Sequence, residues 1–96
     1  MHRLTVLCTV EEPEVVIKKI KEYFIEQDCE VVENEVKYKI EAKFPACDNM
    51  KVKVKIEEGE GDGYCISVEK NKGNKMNFMN VFNEIKKYLE EENMVI

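Results

Sequence analysis

From residue 36 to residue 56, apolar and charged side chains alternate. In VKYKIEAKF the apolar positions are Val36, Tyr38, Ile40, Ala42 and Phe44, with Lys37, Lys39, Glu41 and Lys43 between them. After the break PACDNM, the stretch KVKVKI sets Val52, Val54 and Ile56 against Lys51, Lys53 and Lys55. Successive side chains of a strand point to opposite faces, so a period of two predicts half-buried strands. Pro45, Asp48 and Asn49 in the break suit a hairpin connection. The stretch therefore predicts an antiparallel hairpin with one apolar face and six lysines on the other.

Around it the period changes twice. Leu4 to Thr9 (LTVLCT) predicts a short first strand. Glu11, Glu12, Pro13 and Glu14 open a helix, because proline is tolerated in the first turn and acids complement the positive N-terminus. Val16, Ile17, Ile20, Tyr23 and Phe24 then repeat at helical spacing, and Gln27 and Asp28 end the element. Cys29 to Glu33 reads as a second strand, with Asn34 and Glu35 reversing into the hairpin. After the acidic, glycine-rich turn EEGEGDG, Tyr64 to Val68 reads as a fifth strand and KNKGNK as a loop. Asn74 is the expected N-cap of a last helix carrying Phe78, Val81, Phe82, Ile85, Tyr88 and Leu89 on one stripe, widened by Met76 and Met79. Glu90, Glu91 and Glu92 have the wrong sign for its C-terminus, which predicts fraying.

The order is strand, helix, four strands, helix. It predicts one domain over residues 1–96: an α+β two-layer sandwich, with an antiparallel sheet of four to five strands and both helices on one face. Only one face of the hairpin is apolar, so only one face needs a cover. The lysine face is left for water or a partner.

A chain of 96 residues can fold without metal or disulfide staples. The formal charge of −5 argues against nucleic-acid binding, which needs a positive field. No apolar run approaches the ~18 residues of a membrane span, and MHRLTVLCTV lacks the pattern of a secretory signal. Cys8, Cys29, Cys47 and Cys65 form no C-x-x-C pair, and His2 is the only histidine, so no zinc site is expected. Reduced thiols are the expectation, although spacing alone leaves a disulfide framework open.

Glu58, Glu60, Asp62, Gly63 and Glu69 reproduce the spacing of a calcium loop. Glutamate stands where the tight loop needs aspartate, and the flanks read as strands rather than helices, so no metal is assigned. With no nucleophile–base motif, phosphate loop or cofactor signature, the reading is a non-enzyme without cofactor. The candidate site is the lysine set Lys37, Lys39, Lys43, Lys51, Lys53 and Lys55, as an anion- or partner-binding face. In-phase pairing sets Lys43 opposite Lys51 and Lys39 opposite Lys55, or else Lys43 opposite Lys53, and opposed lysines repel. A solubilising, edge-protecting surface is the competing reading, though such a surface more naturally mixes signs.

Two stretches carry a resemblance. EEPEVVIKKIKEYFIEQDCEVVE is similar to the opening of the kinase-associated-1 domain, with a proline-started helix leading into a short strand. NMKVKVKIEEGEGDGYCISVEKNKGNKMNF resembles its strand pair, its "SVEK"-like strand and its K-G-D-G-x-x-F lead-in to the last helix. Here Lys72, Gly73, Asn74, Lys75 and Phe78 stand in that lead-in, with Asn for the usual Asp and Lys for the second Gly. The resemblance covers nearly the whole chain. It implies a non-catalytic regulatory module of a Ser/Thr protein kinase, of the microtubule-affinity-regulating, calcineurin-B-like-interacting or checkpoint type. Such a module docks on the kinase domain or a regulatory protein and restrains activity, or binds anionic phospholipid at a membrane. A cytoplasmic monomer follows, with peripheral membrane or nuclear placement as variants. The lysine assignment comes from alternation and not from the family.

Overall fold

The computed structural model describes residues 6–34, 36–59, 61 and 63–95. Its elements run β1 (Val6–Thr9), α1 (Pro13–Glu26), β2 (Glu30–Asn34), β3 (Lys39–Phe44), β4 (Met50–Glu58), β5 (Tyr64–Lys72) and α2 (Lys75–Glu91). The expected β-α-β-β-β-β-α order and α+β class are present. Leu4 and Thr5, expected in the first strand, lie outside the described residues, as do Glu35, Glu60 and Asp62.

All five strands form one antiparallel sheet in the order β1-β5-β4-β3-β2. Four consecutive strands meander, and β1 joins the far side of β5. The chain must therefore cross from one sheet edge to the other between β1 and β2. Four interstrand spacings come to roughly 19 Å. The 14 residues of α1 supply about 21 Å of helix, so its length matches the crossing.

The covered face of the sheet contributes Ile40, Ala42, Phe44, Met50, Val52, Val54, Ile56, Ile66 and Val68 to one core. Val16, Ile17, Ile20, Tyr23 and Phe24 from α1, Phe78, Val81, Phe82, Ile85 and Leu89 from α2, and Met94 just beyond α2 complete it. Phe24 meets Phe44 edge-on, with ring centroids 5.8 Å apart. The Tyr23 hydroxyl donates to Glu84 Oε1 at 2.6 Å and ties α1 to α2. Thr9, fully buried at the end of β1, accepts from the Glu11 N–H at 3.0 Å and turns the chain toward α1. The expected cap of α2 is made: Asn74 Oδ1 accepts from the backbone N–H of Met76 at 2.7 Å and Asn77 at 3.1 Å.

Both helices close in the same way. The Cys29 N–H reaches the Phe24 carbonyl and the Asp28 N–H that of Ile25, with Asp28 at φ 59°. In α2 the Met94 N–H reaches Leu89 and the Asn93 N–H reaches Glu90, with Asn93 at φ 57°. These paired bonds around a left-handed residue are Schellman closures. The C-terminus of α2 is thus closed rather than frayed. The Glu92 carboxylate is drawn off by Lys19 at 3.0 Å, which answers the unfavourable charge there.

Three further expectations are corrected. The alternation at the start of the hairpin does not become strand: residues 36–38 form a turn and β3 begins at Lys39. Tyr38 takes the left-handed region at φ 49°, which costs a bulky residue, and Val36 is left 89% exposed. Met76 stands exposed at the start of α2 rather than widening its apolar stripe, whereas Met79 does pack on the core. Finally, β5 runs to Lys72 where a loop was expected from residue 70, because β4 is nine residues long and offers it a full ladder. The connection from β3 to β4 is a short 3₁₀ turn over Pro45–Cys47, followed by Asp48 and Asn49 at φ 55° and 60°.

Candidate functional site: the open face of the sheet

Strand parity assigns the open face. Ile66 and Val68 are buried, so Cys65, Ser67 and Glu69 point the other way, and the same holds for alternate residues of each neighbour. The register then arranges this face in rows. The first is Glu30–Lys43–Lys51–Lys72, the second Val32–Glu41–Lys53–Glu69 and the third Asn34–Lys39–Lys55–Ser67–Val6. The pairing of Lys43 with Lys51 and Lys39 with Lys55 is the first of the two registers that alternation permits.

Five of the six candidate lysines come together here. Lys37 does not: it sits in the turn before β3, where its backbone N–H donates to Asn34 Oδ1 at 3.2 Å. Lys72 takes its place on the face, brought opposite Lys51 by an irregularity that inserts one extra residue into β5. Alternation could not reveal Lys72, because the apolar positions of β5 stop at Val68 and only the partner strand carries the ladder onward.

The face is striped rather than uniformly basic. Lys43 Nζ lies 3.9 Å from Glu30 Oε2 at the β2 edge, and Lys53 stands between Glu41 and Glu69. At ~3.4 Å per residue, the Lys43–Lys51–Lys72 row and the Lys39–Lys55 row are about 14 Å apart, separated by an acidic row. Counting Glu57 in the next row, six lysines face four glutamates on these strands. The face is net positive on a chain of charge −5, so the remaining surface carries all the negative excess. Lys39, Lys43, Lys53 and Lys55 are half-buried, as lysines are when the alkyl stem covers a surface and the charged head stays in water. Val32, in the middle row at the β2 edge, is 71% exposed. The arrangement can hold two anionic groups at a fixed spacing with an apolar contact beside them.

On the covered side the charged groups serve packing. Lys21 meets Glu33 at 3.0 Å and ties α1 to β2 along a groove also lined by Glu14, Ile17, Lys18 and Tyr38. Hydrogen bonding to Glu92, reinforced by Glu22, raises the pKa of Lys19. The Tyr64 hydroxyl is raised chiefly by Glu12, which faces it across the mouth between α1 and the sheet. Of the calcium-like set, Glu60 and Asp62 lie outside the described residues, and Glu69 lies in mid-β5, opposite Lys53 and five residues from the turn end of that strand. Among the described residues no three acidic, cysteine or histidine side chains gather around a metal-sized space. Among them, too, no helix is long and apolar enough to cross a membrane.

Where α1 ends, burial raises the Cys29 thiol to about 11, with Cys47 adding to the shift. Burial, and then the bond to Glu84, also raises Tyr23. Both groups stay neutral in the fold at pH values where the unfolded chain ionises them. The stability held by Cys29 is full below about pH 9 and is lost as pH rises toward 11, whereas that held by Tyr23 is full below about pH 10 and is lost only above it. Urea midpoints measured from pH 8 to 11 are expected to fall over that window. Cys29→Ser should remove about 1 kcal/mol of the fall, a figure reduced for the solvent that reaches the thiol. An unchanged slope in that variant would exclude the thiol as its source.

Compared with known proteins, the sequence matches no protein-family model and no curated protein.

Proposed function

We propose that the chain is a non-catalytic regulatory domain of a Ser/Thr protein kinase, docking through its open sheet face on an acidic surface of the kinase domain or a regulatory protein and restraining activity. The observation that carries this is the placement of two lysine rows on the uncovered face of an otherwise acidic domain. Opposed lysines cost a few tenths of a kcal/mol per pair, and a partner carboxylate or phosphate would repay that cost. The resemblance to the kinase-associated-1 domain supplies the kinase context.

Peripheral binding to anionic phospholipid would use the same lysines, and the stripe pattern ranks it second. Each lysine near such a surface contributes about 1 kcal/mol, and each glutamate opposes it by a similar amount. A face with two net positive charges then gains only about 2 kcal/mol, too little for stable attachment alone.

Added in trans to a catalytic domain of the microtubule-affinity-regulating type, the domain is expected to lower its rate. Lys51→Glu combined with Lys55→Glu should weaken that effect at least about tenfold. An unaltered rate and affinity on adding the wild-type domain would remove the main support for kinase docking. Sedimentation with phosphatidylserine vesicles, abolished by Lys39/Lys53/Lys55→Glu, would move the assignment to the membrane instead.

A further inference from the structure

We infer that Cys8 and Cys65 are a thiol modification site: a reversible cross-strand disulfide that fastens the edge strand β1 to β5. The two residues are directly opposed in the β1–β5 ladder, 57 positions apart in the chain. Both point to the open face, and Cys8 is exposed to reagents in solution. They lie in the row beyond Lys55, next to Glu57.

The backbone bonds fix the kind of pair they form. The Ile56 N–H donates to the Tyr38 carbonyl at 3.1 Å, and the Gly59 N–H to the Gly63 carbonyl at 3.0 Å. In an antiparallel ladder a residue points its N–H and C=O to the same neighbour, and the direction alternates along the strand. Ile56 therefore faces β3, Glu57 faces β5, and its partner Cys65 faces β4. Cys65 turns no backbone group toward β1, so Cys8 and Cys65 are a non-hydrogen-bonded pair. Such pairs bring Cα atoms to about 4.5 Å with the side chains at their closest. Disulfides span Cα separations of about 4.4–6.8 Å, so the bond needs no strand movement.

The oxidant is a low-molecular-weight disulfide such as oxidised glutathione. The Cys8 thiol gives up its proton and attacks one glutathione sulfur; the glutathione S–S bond breaks, and the leaving thiolate takes up a proton. The Cys65 thiolate then attacks the Cys8 sulfur of the mixed disulfide and expels the second glutathione. Two protein thiols lose two electrons and two protons, and oxidised glutathione becomes two reduced molecules.

The same parity makes Leu7↔Ile66 and Thr9↔Tyr64 the hydrogen-bonded pairs of this ladder. Among the described residues β1 spans four positions and pairs with β5 alone, so a covalent tie has a large effect on how often it opens.

The full chain, equilibrated with oxidised glutathione, should become a monomer lighter by two hydrogens. Peptide mapping after alkylation should join Cys8 to Cys65 and leave Cys29 and Cys47 alkylated. The melting temperature should rise by about 10 °C. Exchange of the Leu7 and Thr9 amides should slow at least about tenfold. Dithiothreitol should reverse all of these. Cys8→Ser and Cys65→Ser should each lose the shift, and the Cys29→Ser/Cys47→Ser variant should keep it. The inference is overturned if Cys8 and Cys65 remain alkylatable, stop at glutathione mixed disulfides, or pair between chains.

Discussion

Phe24→Ala is expected to destabilise the domain by about 3–5 kcal/mol, read as a fall in urea midpoint at unchanged slope. Phe24 is fully buried on the last turn of α1. Its ring meets Phe44 edge-on at 5.8 Å and Tyr23 at 5.7 Å, so it joins the crossover helix to β3 and to the tyrosine that reaches α2. Truncation forfeits the transfer free energy of the ring and leaves a cavity that three elements would have to close. The Phe24 carbonyl also accepts from the Cys29 N–H in the Schellman closure, so collapse into the gap would pull on the helix end. A domain of this size holds roughly 5–14 kcal/mol in total, so the loss is a large share of it. Phe24→Leu keeps most of the volume and should cost about 1 kcal/mol. A loss below about 1.5 kcal/mol for alanine would show that the ring is not the hinge of this packing.

The apolar stripe containing Phe24 is legible from the sequence because helical spacing and burial coincide at Val16, Ile17, Ile20, Tyr23 and Phe24. The hairpin is legible from Ile40 to Phe44 and from Val52 to Ile56 for the same reason, with period two. It fails at Val36 and Tyr38, where a residue in the left-handed region breaks the parity while the composition continues unchanged. The candidate face was half legible. Alternation says which side a lysine takes, but not what stands beside it on the next strand. Glu30, Glu69 and Lys72 come from β2 and β5, and only register brings them to Lys43, Lys53 and Lys51. The opposition of Cys8 and Cys65 depends on register in the same way, between strands at the two ends of the chain's topology.

Gly73→Ala should cost about 3–5 kcal/mol, although Gly73 is exposed and lies between a strand and a helix. Two penalties add. Gly73 has φ +124°, a conformation that side-chain-bearing residues rarely adopt. A Cβ there would lie 2.7 Å from Met50 Cγ, 2.9 Å from its Cβ and 3.2 Å from its Cα. Met50 cannot give way, because it is fully buried at the start of β4 and paired with Phe44. Met50→Ala removes the nearest of these atoms, so the double variant should lose about 1 kcal/mol less than the sum of the singles. The approach to Cβ and the backbone strain persist in it. A Gly73→Ala variant within about 0.5 kcal/mol of wild type would mean that the turn relaxes freely. The glycine of the K-G-N lead-in thus has a local physical reason. It lets the chain pass flat over Met50, between Lys72 at the end of the basic row and Asn74 at the cap of α2. Any shift forced there moves both, and so couples the packing of the last helix to the spacing of the lysines on the opposite face.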